Sequence, residues 1–149
     1  SLAYQLHPSV LEELGLVEAL RAEGERRGRQ GRLAVAMDLE RLPALAGKEA
    51  QLCLFRVAQE ALTNVARHAG TGAASVTLRQ ADGGLLLAVS DRGVGFDPAR
   101  PREGRSLGLA SMRERLHLVS GTLDIETAPG RGTTVVAWVP APGDEGPAP

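Results

Sequence analysis

The chain has 149 residues, 43% of them hydrophobic and 23% charged, with a single cysteine. This is the size and composition of one globular domain able to bury a core without cross-links, which excludes a disordered chain, a disulfide framework and a cysteine-based metal site. Seventeen basic residues against eighteen acidic ones leave a net charge of −1, which excludes a strongly basic nucleic-acid binder and a polybasic membrane-surface module.

No stretch is apolar for long enough to cross a membrane, and the opening SLAYQLHPSV lacks the charged start and apolar core of a signal peptide. Pro8 suits a first helical position, and Val10, Leu11, Leu14, Val17 and Leu20 recur at helical spacing, so residues 8–28 read as helix with a candidate break at Gly15. ERRGRQGR, 25–32, reads as a polar turn, and LAVAMDL, 33–39, as a strand ended by Pro43. Residues 48–69 carry the strongest helical pattern in the chain. ASVTLRQ, 74–80, and LLLAVSD, 85–91, read as strands joined by a hairpin at Ala81-Asp82-Gly83-Gly84. Residues 92–107, rich in Gly, Pro and Arg, read as a loop, and 108–120 as a helix ending near Gly121. TLDIETA, 122–128, and TTVVAWV, 133–139, are the last two strands, and PAPGDEGPAP is expected to be a disordered tail. Hairpins and intervening helices in this order predict an α+β fold, an α/β two-layer sandwich with helices covering one face of a mixed, mostly antiparallel sheet. Lys48 is the only lysine, and the predominance of arginine reads as base composition rather than function.

On the helix 48–69, Leu54, Phe55, Ala58, Ala61, Leu62, Val65, Ala66 and Ala69 fall on one side, a core face. Arg56, Glu60, Asn64, Arg67 and His68 fall on the other. Glu60 and Asn64, one turn apart, offer two oxygens to a Mg²⁺ that keeps phosphate and water ligands, with Arg67 and His68 beyond them for the anionic side of a ligand. A solvated polar face explains the same pattern. VSDRGVGF, 89–96, places Asp91 at a strand end, an acceptor for a donor such as an adenine amine, followed by Gly93 and Gly95. Gly108 opens the helix MRERLHLV, where free N–H groups and the dipole attract phosphate. PGRGTTV, 129–135, leads into the last strand. Each loop alone also reads as a plain turn. Neither a P-loop nor a G-x-G-x-x-G dinucleotide fingerprint is present.

Four motifs in this order, RVAQEALTNVARHA, DRGVGF, SLGLASMRERL and GRGTTVVAWVP, resemble the N, G1 and G2 boxes and final strand of the GHKL ATP-binding (Bergerat) fold. That superfamily covers histidine kinases, gyrase-type topoisomerases, a heat-shock chaperone and mismatch-repair ATPases. Q-E-A-L-T-N-V-x-R-H-A, S-M-R-E-R and LHPSVLEELGLVEAL are similar to sensor histidine kinases of the nitrate-sensor and desaturase-regulator subgroup. The resemblance covers residues 6–140. It implies Asn64 as the Mg²⁺ ligand and Glu60 as the residue polarising the attacking group. Arg67 and His68 become phosphate contacts, Asp91 the reader of the adenine amine, and Gly93 and Gly95 positions where backbone lies close to the base. Thr133 supports the adenine contact, and Leu107, Gly108 and Leu109 form the phosphate-side G2 element. Residues 97–107 resemble a short ATP lid, expected to be mobile without nucleotide. Ser106 and Ser111 stand where glycines often do in this subgroup, which leaves the contacts of that loop open. With 3% aromatic residues, no stacking platform for the base is evident.

None of His7, His68 and His117 fits a phosphoacceptor on a dimerisation helix. The resemblance therefore implies the ATP- and Mg²⁺-binding catalytic half of a longer homodimeric sensor kinase. Residues 1–28 would be the end of the dimerisation helix and a linker, 29–140 the catalytic domain and 141–149 the tail. Its partners would be the phosphoacceptor domain of the same kinase and a response regulator, with no nucleic acid. It would work in the cytoplasm, with the whole protein soluble or anchored at the inner membrane. The alternatives are a serine kinase of the anti-sigma-factor type and a degenerate module that only senses nucleotide.

Overall fold

The computed structural model describes residues 9–40, 46–100 and 103–141, with the backbone alone described over 103–107. In chain order these form α1 (Ser9–Leu14), α2 (Leu16–Arg29), β1 (Ala34–Leu39), α3 (Lys48–His68), β2 (Ala73–Ala81), β3 (Gly84–Asp91), α4 (Glu103–Leu118), β4 (Thr122–Thr127) and β5 (Thr133–Pro140). The strands make one five-stranded sheet in the order β1-β2-β3-β5-β4. Only the β1–β2 pair is parallel, and its connection runs through α3, as a parallel crossover requires. The β2–β3, β3–β5 and β4–β5 pairs are antiparallel. The expected mixed, mostly antiparallel sheet is therefore present.

Period-two alternation decides which face is covered. Val76, Leu78, Leu87, Val89, Ala137 and Val139 are buried, whereas the intervening Thr77, Ala88, Val136 and Trp138 are only half-buried. The helices lie over the buried set: α2 along β1, α3 across β2, β3 and β5, and α4 against β4 and β5. Leu54, Phe55 and Leu62 of α3 are fully buried, each worth about 1.5–3 kcal/mol of apolar transfer. Leu20 of α2 and Leu116 of α4 join the same core. Asp82 and Gly83 turn the β2–β3 hairpin, both at positive φ as a tight two-residue turn demands.

Several elements depart from the sequence expectations. The candidate break at Gly15 is present, with a φ of +90°, but it shifts the helical phase from Leu16 onward, against the single apolar stripe read over 8–28. Leu14 is consequently 65% exposed, while Leu16, Ala19 and Leu20 are buried. The polar turn expected over 25–32 begins only at Gln30, because α2 runs on to Arg29. Arg26 and Arg27, one turn beyond Glu23, hold that extra turn in place by ion pairs to its carboxylate at 2.6 and 2.7 Å. Ala66 of α3 is exposed rather than in the core, while Cys53, Val57 and Gln59 are buried where α2 and α4 cover the helix on its flanks. The residue-107 boundary also fails, since α4 starts at Glu103. No proline or β-branched residue follows Pro101 until the helix is complete, and Gly104 and Gly108 alone do not halt propagation. Of the expected lid, 97–100 is a turn closed by the Arg100 N–H to the Asp97 carbonyl at 2.9 Å. The strand end assigned to Pro43, the helix start at Pro8 and the tail over 142–149 lie outside the described residues.

A buried polar seam joins α2 to α3. Glu23 is 0% exposed, and its second oxygen accepts from the Gln59 side chain at 3.3 Å. Arg56 donates to the Gln59 side-chain oxygen at 2.9 Å. Three arginines thus have structural work, which a composition bias alone does not convey. Burial by itself would push the Glu23 carboxyl up, but the hydrogen bonds from Arg26 and Arg27, the charge of Arg27 and the Gln59 amide together hold it below the ordinary value. The stability that Glu23 contributes is accordingly complete above the ordinary pKa of 4.5 and is lost as pH falls through the lower folded-state value. Glu23→Gln should lose about 1.5–3 kcal/mol at pH 7, as expected for hydrogen bonds to a charged group. It should also flatten the acid limb of stability against pH in urea titrations. A variant with the wild-type slope below the ordinary pKa would show that Glu23 is not the group being titrated.

Candidate functional site

One cleft collects most of the residues singled out by sequence. Asn64 and Val65 of α3 form one wall, Val89 and Asp91 of β3 and Thr133 and Val135 of β5 the floor, and Gly95, Phe96 and Leu109 the rim. Its interior volume is about 20 Å³, room for one water. Asp91 and Thr133 are directly paired across the β3–β5 ladder, so positions far apart in sequence become neighbours at one sheet edge.

Asp91 is 9% exposed and ends β3. Its Oδ1 accepts the Gly93 N–H at 2.7 Å, and the residue lines the cleft. The turn after it is held between α3 and the β4–β5 hairpin. The Val94 N–H donates to the Ala69 carbonyl at 2.8 Å, and the Gly130 N–H donates to the Val94 carbonyl at 2.6 Å. A Cβ at Gly93 would stand 2.1 Å from the Ala69 carbonyl oxygen, and one at Gly95, where φ is +62°, 2.1 Å from the Ala128 carbonyl oxygen. The close approach that demands glycine at both positions is therefore to the protein's own backbone.

Thr127, which lies outside all four motifs, ties this turn to the hairpin. Its hydroxyl accepts the Phe96 N–H at 3.1 Å and lies 3.0 Å from the Gly132 carbonyl and 2.9 Å from the Thr133 hydroxyl. Phe96 lines the cleft itself and is likewise a residue that sequence reasoning did not single out. The cleft does have an aromatic wall, and the sequence signal for it is its place directly after the second glycine of DRGVGF.

The polar strip of α3 is only partly gathered. Glu60 and Asn64 are half-buried one turn apart, but only Asn64 lines the cleft. Glu60 faces α4: its carboxyl carbon is 3.2 Å from where a Gly108 Cβ would stand. Arg67 is exposed and His68 half-buried, and neither lines the cleft. Arg56 is engaged with Gln59. Leu109 is at the rim, and Leu107 lies in α4, where only the backbone is described. The helix start expected at Gly108 is corrected to Glu103 by the longer α4. Gly108 is inside the helix and buried, so its N–H belongs to the helical ladder, and the helix's free N–H groups lie in the turn starting at Glu103. Among the described residues no group of three or more His, Cys, Asp or Glu side chains forms a metal cage. Cys53 is buried, and its thiol is pushed up to about 11 by desolvation against a small opposing effect of Arg115, so it stays protonated.

Residues 49–143 match the family described as histidine kinase-, DNA gyrase B-, and HSP90-like ATPase. The sensor histidine kinase MctS of Rhizobium johnstonii is 40% identical over 145 residues, covering 93% of this chain and 30% of that protein. The oxygen sensor histidine kinase NreB of Staphylococcus carnosus is 34% identical over 140 residues, covering 94% of this chain and 40% of that protein. The chain thus spans less than half the length of both relatives. In fold it is similar to the blue-light activated histidine kinase of Erythrobacter litoralis EL346, with a TM-score of 0.70 at 20% identity over 91% of this chain and 48% of that one. It is also similar in fold to the histidine kinase AdeS of Acinetobacter baumannii, with a TM-score of 0.67 at 17% identity over 91% of this chain and 74% of that one.

The packing of the turn makes one quantitative expectation. Gly95→Ala combines left-handed backbone with a collision against the Ala128 carbonyl and should destabilise the domain by about 2–4 kcal/mol, read as a lowered urea midpoint. An unchanged midpoint would show that the turn yields without cost.

Proposed function

This chain belongs to the histidine kinase-, DNA gyrase B-, and HSP90-like ATPase family and carries its nucleotide-binding fold; from that premise we propose that it binds Mg²⁺-ATP and serves as the catalytic domain of a sensor histidine kinase. The observation that carries the reading is the convergence on one cleft of Asn64, Asp91 with the glycine turn that follows it, and Thr133, from three separate segments. The names of the two relatives favour histidine over serine as the acceptor.

The residues present suit these ligands. Asp91 offers a carboxylate oxygen in a cleft otherwise lined mostly by apolar residues, the chemistry that an adenine amine needs, and Thr133 lies beside it. Phe96, Val89 and Val135 supply apolar and aromatic wall for a flat base. Asn64 with Glu60 nearby is too sparse a donor set for a resident metal but suits a Mg²⁺ that arrives on phosphates and keeps water ligands. Arg67 and His68 are left to the outer, phosphate end.

Bound Mg²⁺-ATP supplies the electrophilic phosphorus and neutralises charge as it transfers. The chain's own part is positioning. Asn64 orients the metal, and Asp91 fixes the base. Glu60 takes the proton from, or orients, an imidazole brought by the dimerisation domain. That domain and a response regulator are the proposed partners, within a homodimer, with residues 1–28 as the linking segment. Among the described residues no helix is long and apolar enough to cross a membrane, and a cytoplasmic site of action belongs to the same reading.

Asn64→Ala should weaken Mg²⁺-dependent ATP binding at least tenfold, roughly the lower cost of disturbing a metal's coordination, while leaving the metal-free affinity in place. Titration calorimetry with and without Mg²⁺ checks this, and unchanged Mg²⁺-dependent binding would remove Asn64 as the ligand. With γ-labelled ATP the chain should bind nucleotide yet keep no stable label. Strong self-labelling would place the acceptor histidine within these residues and overturn the proposed division of labour.

A further inference from the structure

The buried seam between α2 and α3 ends beside the proposed nucleotide site. Arg27, whose side chain is 12% exposed, lies in α2 and is paired with Glu23 at 2.7 Å. That pair is made by Nε, while the terminal Nη2 donates to the Gln59 carbonyl at 3.1 Å and to the Thr63 hydroxyl at 3.0 Å. Gln59 and Thr63 directly precede Glu60 and Asn64. One guanidinium therefore grips α3 at two points a turn apart, each one residue from a polar side chain of the strip. Gln59 is held a second time, through its side chain to Glu23 and Arg56.

The arrangement favours geometry over net stability. A buried ion pair gains little against an apolar replacement, because desolvation offsets most of the attraction. What it imposes is direction: a planar guanidinium satisfies the Glu23 carboxylate, a main-chain carbonyl and a hydroxyl together only when α2 and α3 sit in one rotational register. That register matters to the strip. A side-chain tip about 6 Å from a helix axis moves by about 1 Å for every 10° of rotation, and about 1 Å of misplacement is enough to cost a site much of its function.

Resting on the nucleotide reading above, we propose that Arg27, oriented by Glu23, is the positioning residue for the Glu60–Asn64 edge of α3. Affinity for metal-bound nucleotide is then set in part from α2, an element outside the cleft. The contact to Gln59 and Thr63 fixes the rotation of α3, and the rotation fixes where Asn64 presents its oxygen.

The test uses the whole chain with Mg²⁺-ADP, and ADP alone, as calorimetric probes. Thr63→Val keeps the branched shape and removes one of Arg27's acceptors. Arg27→Lys keeps the charge opposite Glu23 and loses the fork. Both variants should remain folded by circular dichroism, bind Mg²⁺-ADP about tenfold more weakly and leave ADP alone within twofold, so that the gain from Mg²⁺ shrinks. Arg79→Ala, which removes only the exposed pair with Asp38, serves as a stability control and should leave both affinities as they are. If Thr63→Val and Arg27→Lys lower the melting temperature while the Mg²⁺ gain stays at the wild-type value, Arg27 is structural only and the positioning role is overturned. Equal weakening with and without Mg²⁺ overturns it too. Absence of Mg²⁺-ADP binding by the wild-type chain is a different result, which overturns the nucleotide reading and the positioning role with it.

Discussion

The cleft exists because a turn of six residues, 91–96, is pressed between a helix end and a hairpin with no room for side-chain carbon at its two glycines. The Ala69 carbonyl, at the C-terminus of α3, has no helical donor to accept from and takes the Val94 N–H instead. From the other side the Gly130 N–H reaches Val94, and Thr127 bonds to Phe96. Helix, turn and hairpin are thereby locked at one separation. Asp91 sits at the base of that lock with one oxygen committed to the Gly93 N–H, so its carboxylate cannot swing out of the cleft without breaking the turn. The distance between the Asn64 wall and the Asp91 floor is a consequence of this packing.

A second constraint acts along the length of α3. The helix is covered by the sheet, by α2 and by α4, and only a narrow strip of it stays polar. On the α2 side the contact is ionic and built on the fully buried Glu23. Arginine is the residue that suits it, since lysine presents a point charge where three acceptors in different directions need a planar fork. On the α4 side the contact depends on bulk: Gly108 leaves just enough space for the Glu60 side chain. The two candidate ligands of the strip thus owe their placement to neighbours on opposite flanks, Arg27 and Gly108, neither of which lines the cleft.

Much of the fold was legible locally. The five strands announce themselves by alternation and by the turns Asp82-Gly83 and Pro129–Gly132, and α3 by twenty-one residues of consistent period. What misled were places where a neighbour decided. The break at Gly15 was marked in the sequence, but Leu14 read as part of one apolar stripe, and the restarted periodicity leaves it in solvent. Residues 25–29 looked too polar for helix because the carboxylate that neutralises them, Glu23, is not marked as buried by any one-dimensional pattern. The start of α4 carried two glycines that local propensity counts against helix.

The candidate site divides the same way. The resemblance carried by the four motifs marked Asn64, Asp91, Gly93, Gly95 and Thr133, and for Asp91 and the glycines the chemistry of a carboxylate at a strand end or a glycine in a turn pointed the same way. Sequence by itself also determined the α+β class and the mixed sheet, which follow from period and connection length. Only the tertiary structure decided that the two glycines are required by Ala69 and Ala128, that Phe96 faces the cleft, that Thr127 ties the turn down and that Gly108 sits within a helix rather than at its start. It alone brought Arg27 onto the backbone beside Glu60 and Asn64. The reason is physical: these are relations between atoms far apart along the chain or across a packed interface, and no local pattern encodes a distance that the packing of other elements sets.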